Sequence, residues 1–146
     1  MTDDRSLKLA RDCAETMFAA DLASQSLGIK VQVDKPGQAI ATMTIVDSML
    51  NGQHLCHGGF IFALADTAFA FACNAYDDIT VAGGAAIDFL RPGQPGDVLT
   101  ATAVERQRGR RNGVYDVTVQ NQDGKDVALF RGKSVATGRR MLAGNA

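Results

Sequence analysis

The sequence predicts an α+β domain in which a long central helix is wrapped by antiparallel strands, with a further helix leading the chain. Three features carry that reading. The most apolar stretch, residues 58–73, lacks proline and has apolar residues all round, the pattern of a helix enclosed by other structure. Segments 40–46 and 81–90, on either side of it, combine apolar and small residues in the manner of strands. Beyond residue 98 the chain is punctuated by Arg111-Asn112-Gly113 and Asp123-Gly124, dipeptides suited to tight hairpins.

Taken in order, residues 6–23 place Cys13, Ala14, Met17 and Phe18 at helical spacing, and Gly28 closes the connection to a first extended segment. Residues 40–46 read as a strand, 58–73 as the core helix and 81–90 as the next strand. Segments 98–106, 114–120 and 126–135 then form a meander with sequential antiparallel pairing. A chain of 146 residues with 46% hydrophobic content suits a single domain, 1–146, with a real core. The ends, 1–5 and 138–146, are expected to be loose.

Composition excludes several classes of function. A net charge of −1 gives no global pull toward nucleic acid or an anionic membrane, so any anion binding is local. The core helix falls short of the roughly 20 apolar residues that span a bilayer. Cys13, Cys56 and Cys73 have neither metal nor disulfide spacing and fit reduced thiols. The acidic start of the chain lacks the basic and apolar segments of a signal peptide, so a cytoplasmic location is expected.

Within the core helix stands Asp66. A carboxylate in such surroundings is costly unless paired, or rises in pKa, and both outcomes suit a catalytic acid or base. Before the helix runs a polar loop, Asn51-Gly52-Gln53-His54-Leu55-Cys56-His57, which enters it through Gly58-Gly59. N–H groups at a helix N-terminus lack intrahelical partners, and glycine lets a ligand carbonyl approach the backbone, so an oxyanion site is in prospect. Gly58 and Asp66 are separated by about 12 Å along the helix axis, whereas reacting groups must converge to about 3–3.5 Å. A joint role therefore requires Gly58 of one subunit to face Asp66 of another.

Asn51-Gly52, His57-Gly58-Gly59, Leu64-Ala65-Asp66-Thr67-Ala68 and Asp88-Phe89-Leu90-Arg91-Pro92-Gly93 resemble the hotdog-fold acyl-CoA thioesterases, the PaaI type in particular. The resemblance spans residues 15–138. It implies a hotdog fold, dimers joined edge to edge through their sheets with sites at the interface, and pairing of dimers into homotetramers. It further implies hydrolysis of phenylacetyl-CoA or its ring-hydroxylated analogues in phenylacetate catabolism, with no cofactor beyond the coenzyme A of the substrate. In that scheme the Gly58 amide binds the thioester oxygen and Asp66 acts as general base or nucleophile. Asn51 holds the water or carboxylate, His57 supports the loop, Gly59 borders the substrate, and Thr67 hydrogen-bonds nearby. Arg91, Arg108, Arg110, Arg111 and Lys133 are the candidates for the coenzyme A phosphates. Some relatives use a hydroxyl one helical turn after the acid or on the next strand. Here those places hold Ala70 and residues 82–86, which carry none.

Rival readings are weaker. His54, Cys56 and His57 lack a fourth ligand for a tetrahedral metal site, Cys56 and His57 are sequence neighbours and poor partners for nucleophilic catalysis, and no phosphate-binding glycine loop is present. The alternatives are an acyl-CoA-binding module without turnover and a thioesterase for medium-chain aliphatic acyl-CoA.

Overall fold

The computed structural model describes residues 3–142. In chain order these form helices α1 (Asp4–Ala20) and α2 (Leu22–Ser26), strands β1 (Lys30–Lys35) and β2 (Gln38–Thr44), a 3₁₀ turn at Asp47–Met49 and helix α3 (Gly58–Cys73). Strands β3 (Thr80–Phe89), β4 (Val98–Arg108), β5 (Asn112–Gln120) and β6 (Asp126–Ala136) complete the fold. All six strands pair antiparallel in one sheet of order β1-β2-β4-β5-β6-β3. Helix α3 packs on its inner face, and this is the α+β hotdog architecture expected.

The apolar run of the sequence coincides with α3. Ile61, Leu64, Ala65, Ala68, Phe69, Phe71 and Ala72 are buried against Met43, Leu99, Tyr115, Val117, Val119, Val127 and Phe130. Ala41, Ala101 and Ala103 are also buried, and their small side chains let the helix sit close to the middle strands. Gly132 on β6 serves the same end: a Cβ there would lie 2.7 Å from the ring of buried Phe69. Gly132→Ala is therefore expected to destabilise the fold by about 1–3 kcal/mol through overpacking, measured by urea denaturation.

Two boundaries differ from the sequence reading. The single N-terminal helix expected over 6–23 is two, because Asp21, at φ −87° and ψ 78°, ends α1 and caps α2 by accepting a hydrogen bond from the Ser24 amide at 3.0 Å. The turn between β4 and β5 lies at Arg110-Arg111, closed by the Gly109 N–H donating to the Asn112 carbonyl at 2.7 Å. Asn112 and Gly113 already belong to β5. Gly113 is small for packing instead, since a Cβ there would meet the Ser134 Oγ at 2.7 Å and Tyr115 at 2.9 Å. The second hairpin is as expected, with Gly124 at φ +74° and the Asn121 side chain accepting from the Asp123 and Lys125 amides.

Residues 138–142, expected to be loose, are tied down. The Arg139 carbonyl accepts from the Ile79 amide, while Arg140 and the Leu142 amide donate to the carboxylate of buried Asp77 at 2.9 and 2.7 Å. Those contacts hold Asp77 below the usual carboxylate range. Residues 3–5 likewise join the start of α1, Asp3 capping it through the Ser6 amide at 2.8 Å. Residues 1–2 and 143–146 of the expected loose ends lie outside the described residues.

The two sheet edges differ. Against β1 lies α1, whereas β3 is exposed or half-buried along its whole length. Val81, Phe89 and the following Leu90 are each half exposed. A ten-residue apolar edge without proline or lysine is a ready template for pairing with another strand.

Candidate active site

The loop between β2 and α3 is built around Asn51. Its side-chain carbonyl accepts from the Gln53 and Leu55 amides at 2.9 and 3.2 Å, and its own amide N–H donates to the Leu55 carbonyl at 2.7 Å. His54 takes φ +60° to close the turn, and a bridge between Leu50 and Cys56 seals its base. The Cys56 amide donates to the Gly93 carbonyl and the His57 amide to that of Met49. These bonds fix where the chain enters α3. The Asn51 side-chain NH₂ has no partner among the described residues.

His57 is the N-cap of α3, its Nδ1 accepting from the Gly59 amide at 2.9 Å. That bond leaves Nε2 as the protonated nitrogen of the neutral ring. It also occupies Gly59, so that the Gly58 N–H is the amide of this pair without a partner among the described residues. Gly58 borders an open cleft of about 380 Å³, which Asn51, Ile61, Phe89 and Arg91 also line. A Cβ on Gly58 would stand 3.0 Å from the Phe89 ring, which makes Phe89 a wall of the cleft.

Asp66 lies on α3 two turns further on, half-buried, with no hydrogen bond or ion pair among the described residues. Burial raises its carboxyl above the usual carboxylate range, and the negative charge of Asp21 pushes it the same way. Gly59, Ala63 and Ala70 share its helix face by spacing, and none is fully buried. The acid therefore sits on the side of α3 that the sheet leaves uncovered. Thr67, the residue after the acid, donates its hydroxyl to the Ala63 carbonyl at 2.8 Å and meets the Ser24 Oγ at 3.2 Å.

The basic candidates divide between separate places. Arg91 lines the Gly58 cleft and donates to the Asp126 carbonyl at 3.0 Å. A bulge between Glu105 and Gln107 sends Arg106 to Asp116 on the outer face and Arg108 over the Tyr76 ring at 3.6 Å. Arg110 and Arg111 line hollows near the C-terminal end of α3. Lys133 is exposed on β6 and lines neither the cleft nor those hollows.

Sequence reasoning missed Asp21 and Ser24, although Asp21-Leu22-Ala23-Ser24 is an N-cap pattern that could have marked the helix break. It also missed the hub at Glu105, whose Oε1 accepts from the hydroxyls of Tyr76 and Tyr115 at 2.8 Å each. Both phenols are raised, chiefly by burial.

Thiolate chemistry finds less support. Burial lifts all three thiols and brings that of Cys73 to about 12, which disfavours thiolate chemistry. Among the described residues no group of three or more His, Cys, Asp or Glu is arranged to hold a metal, and no helix is long and apolar enough to cross a membrane.

An unpaired helix-terminal amide in an open cleft and a carboxylate of raised pKa without a partner among the described residues are the parts that hydrolysis of an activated carbonyl calls for. The model of the thioesterase superfamily matches residues 53–128, and the chain belongs to that family. It is 52% identical over 121 residues to the acyl-coenzyme A thioesterase PaaI of Escherichia coli K12, covering 83% of this chain and 86% of that protein. The structure of the E. coli PaaI protein from the phenylacetic acid degradation operon superposes with a TM-score of 0.90 at 48% identity, over 92% of this chain and 97% of that one. The smu.793 protein of Streptococcus mutans UA159, bound to acetyl CoA, superposes at 0.74 with 31% identity, over 77% of this chain and 91% of that one.

Proposed function

We propose that two copies of this chain form a thioesterase site that hydrolyses aryl-acetyl-CoA, phenylacetyl-CoA or its hydroxylated forms, to the free acid and coenzyme A. The observation that carries the reading is the separation of Gly58 and Asp66. Neither has a partner among the described residues, and they lie eight positions apart on one helix, too far to meet at one carbonyl. Two antiparallel α3 helices, apposed through the small face of Gly59, Ala63 and Ala70, bring Gly58 of one subunit to Asp66 of the other. Pairing of the exposed β3 edges continues the sheet across the same interface. A homotetramer of two such dimers follows the family pattern.

In this site the Gly58 N–H donates to the thioester oxygen as negative charge develops there. Asp66 of the opposite subunit accepts a proton from water while the water oxygen bonds to the carbonyl carbon. The C–S bond then breaks, and the departing sulfur takes up the proton. Direct attack by Asp66, giving a mixed anhydride that water later cleaves, uses the same two groups. The Asn51 NH₂ holds the water or the catalytic carboxylate, and His57 keeps the helix start rigid. Arg91, beside the cleft, is the first candidate for a coenzyme A phosphate, and Arg108, Arg110, Arg111 and Lys133 follow. No cofactor is required. A cytoplasmic enzyme fits this substrate. The aryl preference rests on the similarity to the phenylacetic acid degradation protein and on Phe89 in the cleft wall.

The test is release of free thiol from a panel of aryl and aliphatic acyl-CoAs, with oligomeric state measured in parallel. Fastest turnover of phenylacetyl-CoA by a dimer or tetramer is expected. Preference for medium-chain aliphatic substrates overturns the aryl assignment, and tight binding without thiol release overturns the enzyme. For Asn51, the Asn51→Asp variant keeps both acceptor contacts of the loop and deletes the amide donors. It is expected to lose about 10–100-fold in kcat, the worth of one hydrogen bond to a charged group, with little change in melting temperature.

A further inference from the structure

A second acid is anchored to α3 through Thr67, the residue that follows Asp66. Asp21 stands at the elbow between α1 and α2, where its carboxylate accepts from the Ser24 amide at 3.0 Å and from the Ser24 hydroxyl at 2.7 Å. Ser24 is 3% exposed and touches the Thr67 hydroxyl at 3.2 Å. That hydroxyl is itself fixed by the Ala63 carbonyl. The chain Asp21–Ser24–Thr67–Ala63 therefore locks the elbow to α3 beside Asp66. The donor hydrogens on it have other acceptors: Ser24 donates to Asp21 and Thr67 to Ala63. The elbow thus brings Asp66 a negative charge without a proton donor.

The titratable groups acting near Asp66 can be named. Asp21 reaches it from the elbow, and Cys73 stands two turns along its own helix with its thiol held neutral. Among the described residues no Lys, Arg or His offsets the charge of Asp21 there. A like charge at short range stabilises the protonated form of a carboxyl and makes its carboxylate the stronger base.

We propose that Asp21 is a positioning residue of the thioesterase: anchored by Ser24 against Thr67, its charge confronts Asp66 and makes that carboxylate a better proton acceptor. The inference rests on Asp66 being the base. Asp21 touches no substrate, and α2 serves as a mount that keeps a charge at fixed range from the acid, whose next residue, Thr67, makes the contact with Ser24 of α2. The effect is screened by salt, since the acid it acts on is only half-buried.

The experiment compares pH profiles of kcat/KM for phenylacetyl-CoA hydrolysis in wild type, Asp21→Asn and Asp21→Ser. Both replacements can still accept at the cap of α2, so both keep the elbow while removing the charge. The acidic limb is expected to move to lower pH by about half a unit in both variants, the size of one screened like-charge contact, and the shift is expected to shrink in high salt. A limb that stays in place in both variants, whatever happens to the plateau, overturns the proposal and leaves Asp21 a helix cap. Asp66→Asn separates this from the parent reading: if that variant turns over normally, the base assignment itself is wrong. If it is inactive while the limb is unmoved in the Asp21 variants, only the present inference fails.

Discussion

Asp66→Asn is expected to lower kcat for acyl-CoA hydrolysis about 10³-fold with little change in KM, within the range for loss of a general base or nucleophile. The amide is isosteric with the carboxylate and no described residue hydrogen-bonds the acid, so nothing around it is orphaned. Stability is expected to move the other way. The carboxyl of Asp66 is raised in the folded chain, so the folded state holds its proton more firmly than the unfolded state does. Its contribution to stability therefore falls as pH rises from the unfolded value near 3.9 through the raised folded value, and stays low above it. Asp66→Asn removes that penalty and should be more stable than wild type at pH 7, with the advantage vanishing toward about pH 4. Urea denaturation at the two pH values checks the sign. A variant that is inactive and less stable at pH 7 would point to a structural role for the carboxylate. Single turnover in heavy-oxygen water separates the two chemical routes, since label enters the Asp66 side chain only through an anhydride.

Removal of the Gly58 N–H is the second large effect. Proline is tolerated at the first position of a helix. The preceding residue, His57, already has φ −59° and ψ 132°, which proline requires of its neighbour. Gly58→Pro should thus preserve α3 and delete one donor. Both it and Gly58→Ala place a Cβ 3.0 Å from Phe89, a ring that is 53% exposed and free to give way. The difference between the two variants isolates the hydrogen bond. Proline is expected to cost about 10²–10³ in kcat, the usual loss for an oxyanion donor, and alanine much less. Equal losses would assign the effect to the Phe89 wall.

These two variants also test whether the site is shared. Each alone leaves both sites of a dimer defective. Mixed by unfolding and refolding together, half of the dimers would pair an intact Gly58 with an intact Asp66 at one site, restoring about a quarter of wild-type activity. A site contained within one chain gives no rescue.

Much of the fold could be read from the sequence because its strongest pattern is local. The run that becomes α3 is apolar on every side, and strands β2 to β6 follow alternation and turn residues that report on immediate neighbours. Asp66 was conspicuous as the acid in that run, and Gly58 followed from the helix boundary. Where the reading slipped, packing outweighed local preference. Asn112-Gly113 has the chemistry of a turn, yet Gly113 is drawn into β5 by the close approach of Tyr115 and Ser134. The sequence leaves the Gly59 amide unassigned, and the ring of His57 folds back onto it, so that Gly58 holds the free N–H of the pair. The arginines clustered in sequence are dispersed by a bulge that sends neighbouring side chains to opposite faces.

By itself the sequence determined the enclosed helix, the antiparallel meander and an acid too far from the helix start to share one carbonyl with it inside one chain, because helical rise is fixed at about 1.5 Å per residue. Only the tertiary structure decided which amide is free, that β3 ends the sheet as an open apolar edge, and that Asp21 is anchored through Ser24 against Thr67, next to Asp66 in the chain. Each of these depends on residues brought together across 2 to 56 positions of chain, and burial and charge act over distances in space that sequence spacing does not encode.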